Sequence, residues 1–155
     1  MKKLIFFCAI LSGMWVAAVW SASARNLLDS EEANVRACIE HYFRGHSTGD
    51  GAHFRRAFHP DAKLFFMREG KVTQWTLEEY AGRASGQPAP DEAQRKRRIE
   101  SIDVTGNAAM AKIVLDYPSV TFTDYMSLLK VGDEWRIVNK TFHADQKLRP
   151  QKRDQ

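Results

Sequence analysis

A predicted β-hairpin near the carboxyl terminus constrains the fold of this 155-residue chain more than any other stretch. Two runs rich in β-branched and aromatic residues make up Pro118–Asp145 and flank Gly132-Asp133. Gly-Asp is a favoured two-residue connection between strands because both positions tolerate a positive φ. This connection pairs Val131 with Glu134 and thereby predicts the register along both strands.

The predicted register gathers polar side chains on one face of the hairpin. Side chains alternate along a strand, and the pairs that share this face are Lys130 with Trp135, Leu128 with Ile137, Met126 with Asn139, Asp124 with Thr141, and Phe122 with His143. The face is apolar near the turn and polar away from it, where Asp124 and His143 are diagonal neighbours within hydrogen-bonding reach. An apolar wall that ends in a few converging polar groups is typical of a small-molecule pocket.

The first 24 residues predict a secretory signal peptide. Two lysines precede an uncharged run over residues 4–24, and Ala22-Ser23-Ala24 forms a small-residue cleavage site before Arg25. An uncleaved N-terminal anchor is the alternative, because residues 4–20 are nearly long enough to cross a bilayer. Cleavage predicts an exported protein, periplasmic or secreted, with one domain over residues 25–145 and a flexible polar tail over residues 146–155.

Charge and cysteine content exclude several classes of protein. Without Lys2 and Lys3 the formal charge falls from +4 to +2, so we expect no nucleic-acid partner and, after signal cleavage, no membrane contact. Cys38 is the sole cysteine after residue 24, which rules out an internal disulfide there and favours a role as core filler rather than nucleophile. The sequence has no phosphate-binding loop, dinucleotide fingerprint or metal-ligand spacing, so we expect neither a cofactor nor a metal.

The remaining sequence predicts three helices and further strands. Capping residues mark the helix starts: Asp29 or Ser30, then Asp50, then Thr76 with Glu79 three residues later. The predicted helices cover residues 29–46, 51–58 and 77–84, and the predicted strands cover 63–67, 71–75, 96–105 and 108–117 ahead of the final hairpin. The stretch 59–62 predicts a turn, because the residue before Pro60 is disfavoured in a helix.

Helices on one side of an antiparallel sheet make an α+β two-layer domain. Ala109 and Ala111 are small enough to let the sheet curl, which leaves a cavity between its concave face and the helices. The hairpin face that carries Asp124 and His143 is expected to point inward, because the large apolar side chains on the same face need cover.

Three local strings in this order of elements resemble the nuclear transport factor 2-like superfamily. They are Phe58-His59-Pro60-Asp61-Ala62, Ile102-Asp103-Val104-Thr105-Gly106-Asn107-Ala108-Ala109 and Asp133-Glu134-Trp135-Arg136-Ile137-Val138-Asn139-Lys140. The resemblance is strongest to the branch described as putative lumazine-binding. It implies a cone-shaped curved antiparallel sheet packed against three helices from the N-terminal half, a pocket at the open end of the cone, and a homodimer formed through the convex sheet face. The superfamily includes ketosteroid isomerase, scytalone dehydratase and polyketide cyclases.

Asp124 and His143 form the candidate catalytic pair. A half-buried carboxylate would orient the imidazole as a general base for proton abstraction next to a carbonyl, and the alternative is a buried polar pair that closes the open end of the sheet. The side chains predicted to bind a ligand are Tyr42, His59, Trp75, Tyr80, Phe122, Met126, Asn139 and Thr141. His59 has an alternative as a turn residue that hydrogen-bonds to the backbone near Pro60 and Asp61.

We therefore expect an exported protein that binds a small apolar or aromatic molecule. If it is catalytic, we expect a cofactor-independent acid–base isomerase, dehydratase or cyclase. The alternative is a non-enzymatic dimeric assembly module whose cavity is filled by its own side chains. That alternative predicts a large apolar convex face, to which the hairpin would contribute Thr123, Tyr125, Leu129, Val138 and Phe142.

Overall fold

A computed structural model describes the backbone of residues 8–147 and the side chains of residues 28–147. The helices are α1 (Cys8–Thr48), α2 (Gly51–Ala57) and α3 (Leu77–Ala81), and the strands are β1 (Phe58–Arg68), β2 (Lys71–Thr76), β3 (Lys96–Thr105), β4 (Ala108–Asp116), β5 (Val120–Val131) and β6 (Glu134–Gln146). A short 3₁₀ helix, Glu92–Gln94, precedes β3. The start of the predicted signal peptide, residues 1–7, and most of the predicted tail, residues 148–155, lie outside the described residues. Within the described part, no helix combines the length and the mean hydropathy needed to cross a membrane.

The six strands form one curved, unclosed sheet in the order β2-β1-β6-β5-β4-β3, and the three helices pack on it. The predicted α+β class is therefore confirmed. The sheet is not purely antiparallel, however, because β1 pairs with β6 in parallel. Helix α2 delivers the chain beside the start of β6, so that Phe58 pairs with Ile137 and the two strands run in the same direction.

The helix signals are confirmed at two of the three predicted starts. Asp50 accepts a hydrogen bond from the Ala52 N–H at 2.8 Å and caps α2. Thr76 and Glu79 form the predicted capping box of α3, although the helix ends at Ala81 rather than residue 84. The predicted start at Asp29 is wrong, because α1 runs without a break from Cys8 and leaves no free N–H groups there for a cap to satisfy.

The predicted turn at residues 59–62 is also wrong. These residues belong to β1, whose pairing with β6 is irregular between Phe58 and Lys63. Pro60 has no N–H to donate to a neighbouring strand, and a local irregularity in the pairing accommodates it without ending the strand. The chain therefore continues straight from α2 into β1.

A β-bulge in β6 changes the register of the final hairpin. Near the turn the predicted pairs form, and Leu128 lies opposite Ile137. The next paired residues are Ser127 and Asn139, so Val138 is the extra residue on β6. One extra residue moves every later side chain of the strand to the other face. The predicted partners of Met126, Asp124 and Phe122 are therefore wrong, and their actual partners are Lys140, Phe142 and Ala144.

The core lies between the helices and the concave face of the sheet. The helices contribute Val35, Ile39 and Phe54 to it, and strands β4 to β6 contribute mainly aliphatic side chains such as Ile113 and Ile137. Burying one large apolar side chain contributes about 1.5–3 kcal/mol. Between β3 and β4, Ile102 lies opposite Ala111 and Val104 lies opposite Ala109. Small residues thus stand where the sheet approaches the helices.

Cys38 is part of this core, as predicted. Its thiol is buried and donates to the Ala57 carbonyl at 3.3 Å. Burial raises the pKa of the Cys38 thiol to about 11, so it remains protonated at neutral pH. A protonated, enclosed thiol is a poor nucleophile, which leaves Cys38 the role of filling the core.

Candidate functional site

Three polar side chains meet inside the apolar core. Tyr42 of α1 donates its hydroxyl proton to Asp124 Oδ2 at 2.5 Å. Lys140 Nζ donates to the Tyr42 oxygen at 2.9 Å and lies 3.4 Å from Asp124 Oδ2. The exposed fractions are 0% for Asp124, 0% for Tyr42 and 3% for Lys140. We call these three residues the Tyr42–Asp124–Lys140 cluster.

The strand sequences explain two of the three positions. Asp124 follows the alternation of Met126 and Leu128 on β5, so its carboxylate points inward with them. Lys140 points inward because the bulge at Val138 reverses the alternation of β6. Sequence reasoning missed Lys140 for this reason, and no glycine or other residue characteristic of bulges marks the position.

Burial controls the protonation of this cluster. Burial lowers the pKa of Lys140, and the attraction of Asp124 for the ammonium partly opposes this effect. Burial, followed by the charge of Asp124, raises the pKa of Tyr42 well above its usual value, and the same two causes act on Tyr80. Both phenols therefore stay protonated, and Tyr42 acts as a hydrogen-bond donor to Asp124. Asp124 Oδ1 is buried and has no hydrogen-bond partner among the described residues.

Aromatic rings enclose the amino group of Lys140. Its Nζ lies 5.1 Å from the ring centroid of Tyr42, 5.0 Å from that of Tyr80 and 4.6 Å from that of Phe142. Such rings stabilise an ammonium through their π faces. The Tyr80 hydroxyl in turn lies 2.9 Å from His46 Nε2. Burial, followed by the charge of Lys140, holds the pKa of His46 well below its usual value, so its imidazole is neutral at pH 7.

A cavity of about 520 Å³ lies at the end of the sheet opposite the β5–β6 turn. We call it the aromatic cavity, and its lining consists of Phe66, Met67, Arg68, Trp75, Phe122, Phe142, His143, Ala144 and Gln146. Its volume falls within the range of roughly 300–1,000 Å³ that is typical of small-molecule sites. The centroid of the Phe66 ring lies 4.4 Å from that of Trp75 and 4.9 Å from that of Phe142. The Phe142 ring therefore forms part of the cavity wall and also contacts Lys140.

The structure separates the predicted catalytic pair. Asp124 belongs to the buried cluster, whereas His143 lies opposite Thr123 and is exposed at the rim of the aromatic cavity. The bulge at Val138 causes the separation, because it places His143 on the opposite face of the sheet from Asp124. An orienting contact between the Asp124 carboxylate and the His143 imidazole is therefore absent.

The predicted ligand-binding residues divide into three groups. Trp75 and Phe122 line the aromatic cavity together with His143, and Tyr42, Tyr80 and Met126 are buried behind its wall. The bulge turns Asn139 and Thr141 to the opposite face, where they pair with Ser127 and Tyr125. His59 accepts a hydrogen bond from the Asp61 N–H at 3.2 Å, which agrees with its alternative role as a backbone-binding residue.

Two other clefts are smaller than the aromatic cavity. One, of about 300 Å³, runs between α1 and the β5–β6 turn beside His41 and Arg136. The other, of about 200 Å³, reaches His46 and Tyr80 from the loop after α3. Among the residues that the structure describes, no group of three His, Cys, Asp or Glu side chains is placed to hold a metal ion. The aromatic cavity is the largest of the three spaces and has the most apolar walls.

The outer face of the sheet carries exposed apolar side chains. Met110, Tyr125 and Leu129 have exposed fractions of 59%, 48% and 43%. Tyr125 and Leu129 are predicted members of this face and lie on it, next to Met110 of β4. The prediction that Phe142 belongs to it is wrong, because the bulge turns Phe142 into the aromatic cavity.

Comparison with known proteins places this arrangement in a family. Residues 30–143 match the model of the family described as putative lumazine-binding. A curated relative, the aldolase FrzH of Cladobotryum sp., is 23% identical over 123 residues, which cover 78% of this chain and 97% of that protein.

Solved structures share the fold. An NTF2-like protein of unknown function from Shewanella baltica OS155 superposes with a TM-score of 0.68 at 28% identity, covering 75% of this chain and 94% of the other. An NTF2-like protein of unknown function from Silicibacter pomeroyi DSS-3 also gives a TM-score of 0.68, at 22% identity, covering 76% of this chain and 98% of the other. The predicted NTF2-like fold is therefore confirmed.

Proposed function

The chain belongs to the putative lumazine-binding family of the NTF2-like superfamily, and we propose that it binds a small, largely apolar or aromatic molecule in the aromatic cavity. The observation that carries the proposal is a space of about 520 Å³ with four aromatic rings in its wall. Stacked and tilted rings offer a flat apolar ligand large contact areas with little loss of side-chain entropy.

Arg68 gives the cavity a positive rim. Its guanidinium carbon lies 5.4 Å from the ring centroid of Phe66 and 5.9 Å from that of Trp75. No carboxylate in the described part of the chain forms an ion pair with Arg68. A ligand with an aromatic body and an anionic end would place that end against this guanidinium. We therefore expect aromatic carboxylates to bind more tightly than neutral analogues of the same shape.

Calorimetric titration with cinnamate and with the neutral cinnamyl alcohol tests this proposal. We expect cinnamate to bind more tightly, and Arg68→Gln to remove the difference between the two probes. Ala144→Trp would fill the cavity and abolish binding of both probes. Thr141→Trp adds the same side chain on the outer face of the same strand and leaves binding unchanged. If neither probe binds, or if Ala144→Trp binds both as well as wild type, the cavity is not the ligand site.

A second candidate function is acid–base catalysis behind the cavity wall. The Tyr42–Asp124–Lys140 cluster combines an unpartnered carboxylate oxygen with two donors. Removing a proton next to a carbonyl needs a base of this kind together with donors that stabilise the resulting oxyanion. Isomerisation, dehydration, cyclisation and aldol chemistry can all begin with this step. The similarity to a protein named as an aldolase supports this class of reaction.

Exchange of the methyl protons of acetophenone in deuterated water, followed by NMR, tests the catalytic proposal. Wild type is expected to accelerate the exchange. Asp124→Asn and Tyr42→Phe should each reduce the rate at least about ten-fold, because an acid–base group typically contributes about a hundred-fold or more. Asp116→Asn is the matched control, because Asp116 is a partly exposed carboxylate ion-paired with Lys147. Wild-type exchange rates in folded Asp124→Asn would show that Asp124 is not the base.

Export and dimerisation complete the proposal. The lysines at positions 2 and 3, the uncharged run and the Ala22-Ser23-Ala24 site support cleavage before Arg25 and delivery to the periplasm or medium. Intact mass of the protein recovered from those fractions is expected to correspond to residues 25–155, and the mass of the full chain would contradict cleavage.

Association of two copies through the outer face is supported by its exposed apolar side chains Met110, Tyr125 and Leu129.

A further inference from the structure

We propose that Lys140 is a nucleophile that captures ketones or aldehydes in this site as a covalent imine. The inference rests on the proposed function, because the carbonyl compound would enter through the aromatic cavity. It goes beyond that function by naming the substrate class and by giving the buried amine a covalent role. Three features support it: the enclosure of the amine, the groups that surround it, and its position behind a single ring of the cavity wall.

Enclosure favours a reactive amine. Lys140 is 3% exposed, and its Nζ is surrounded by the rings of Tyr42, Tyr80 and Phe142. Removal from water lowers the pKa of Lys140, which enlarges the fraction of neutral, nucleophilic amine at neutral pH. A contribution to stability does not explain why a lysine is buried here. Apolar side chains of similar volume often stabilise a core as well or better.

The groups that face Lys140 come from three elements. Asp124 on β5 is 3.4 Å from Nζ and favours the ammonium form. Tyr42 and His46 on α1 and Tyr80 on α3 are uncharged at neutral pH, since burial raises the pKa of both phenols and lowers that of the imidazole. The amine therefore has one carboxylate to take up its proton and one phenol, Tyr42, to deliver a proton to a developing oxyanion.

The aromatic cavity gives a carbonyl compound access to the amine. Lys140 and Phe142 are two residues apart on β6, so their side chains lie on the same face. The Phe142 ring lies in the cavity wall, and its centroid is 4.6 Å from Lys140 Nζ. We expect rotation of this one ring to bring the amine into contact with a ligand in the cavity.

The chemical step balances without any further reactant. The ammonium first gives one proton to the Asp124 carboxylate. The nitrogen lone pair then forms a bond to the carbonyl carbon, and the electron pair of the C=O bond moves to oxygen, which takes a proton from Tyr42. The nitrogen returns one proton to the Tyr42 oxygen. The hydroxyl group leaves as water with the proton held by Asp124, which breaks the C–O bond and forms C=N, so ammonium plus carbonyl gives a protonated imine plus one water.

Benzoylacetone, an aromatic β-diketone, is the probe for this step. A lysine amine condenses with a β-diketone and loses one water, and the product is a conjugated, stable enaminone. Wild type incubated with the probe is expected to gain the mass of one diketone minus one water, and peptide mapping should place the adduct on Lys140. The adduct should form faster at Lys140 than at exposed lysines, since burial lowers the pKa of Lys140 and the enclosing rings hold the amine beside the cavity.

Variants separate reactivity from access. Lys140→Met is expected to form no adduct yet to bind cinnamate as wild type does, whereas Lys112→Met, which removes a half-exposed lysine, leaves the reaction unchanged. Phe142→Ala removes the ring between amine and cavity and should speed adduct formation. If Lys140→Met does not fold, the mapped adducts of wild type and Phe142→Ala decide the question.

The outcomes distinguish this inference from the proposed function. Binding of cinnamate with no adduct at Lys140, in wild type and in Phe142→Ala, overturns the inference and leaves the ligand cavity standing. An adduct that is spread evenly over exposed lysines overturns it as well. Failure of both cinnamate binding and adduct formation overturns the inference and the proposed function together.

Discussion

At the scale of single residues, the main feature of the molecule is a pair of charged side chains buried in its apolar core. Asp124 and Lys140 are enclosed together, and each compensates the charge of the other at 3.4 Å. Removing one member of such a pair typically costs about 3–5 kcal/mol, whereas replacing both with apolar residues is often neutral. The pair is therefore poorly explained as a source of stability, and this agrees with a chemical role.

His46 predicts a specific dependence of stability on pH. Burial holds the pKa of His46 well below 6.5 in the folded protein, so below pH 6.5 the unfolded chain binds the proton and the folded protein does not. The free energy of unfolding must then fall as the pH falls from about 6.5 towards the folded pKa, by up to about 1.4 kcal/mol per pH unit. Urea denaturation between pH 7 and pH 5.5 measures this slope.

Two variants identify the origin of the slope. His46→Gln removes the titrating group, so the slope should flatten by that amount. Tyr80→Phe removes the hydroxyl partner of His46 but keeps the ring that covers it, and the slope should persist because burial is the larger cause. Parallel curves for wild type and His46→Gln would show that His46 protonates equally well in both states.

Sequence patterns predicted part of this chemistry for a physical reason. The directions of Asp124 and Phe122 were predictable because β5 contains no extra residue and its side chains alternate regularly. Lys140 was not, because its inward direction depends on the bulge at Val138, and the residues around the bulge are ordinary strand formers. The same bulge separates His143 from Asp124, so one unpredicted residue accounts for both errors.

At the scale of elements, the junctions follow from local chemistry better than the boundaries do. The Asp50 cap, the Thr76–Glu79 capping box and the Gly132-Asp133 hairpin turn form as expected. Helix α1 extends beyond its predicted start because a capping residue marks the start of a helix only where the preceding residues are not themselves helical. Strand β1 continues through Pro60 because residues on both sides of the proline pair with β6.

The junction between α1 and α2 depends on Gly49. Gly49 has a φ of +67°, and an added Cβ would lie 2.1 Å from the Gln87 carbonyl oxygen. Gly70, in the β1–β2 turn, has a φ of +75° with nothing within 4 Å of the same position. The two glycines therefore share a backbone conformation and differ in the space available to a side chain.

We expect Gly70→Ala to cost about 1–2 kcal/mol, the penalty of a left-handed conformation. Gly49→Ala should cost at least about twice as much, because the loop after α3 must also move. The substitution should also displace Tyr80, because Tyr80 lies on α3 and α3 immediately precedes that loop. Urea denaturation of both variants and of wild type gives the comparison. Equal losses in the two variants would mean that the loop around Gln87 yields without cost.

At the scale of the whole molecule, one layer of helices covers one face of the sheet and leaves the other to solvent. The uncovered face carries Met110, Tyr125 and Leu129 on the adjacent strands β4 and β5. Met110 lies opposite Ser127, which places it diagonally between Tyr125 and Leu129. Three neighbouring apolar side chains with exposed fractions of 59%, 48% and 43% form a continuous patch rather than scattered exposure.

A second copy of the chain is the partner that we predict for this patch. An isologous dimer would cover the patch with itself, since a two-fold axis brings the same residues together from both copies. Sedimentation equilibrium of wild type should give twice the mass of one chain. Tyr125→Lys should shift the equilibrium to monomer, because the dimer would bury two additional unpaired charges.

Val72→Lys is the control, because Val72 is an apolar residue on β2 that is 72% exposed and lies away from the patch. A wild-type monomer, or equal dissociation of both variants, would contradict association through this face. A dimer that is lost in Tyr125→Lys while cinnamate still binds would show that the aromatic cavity functions within one subunit.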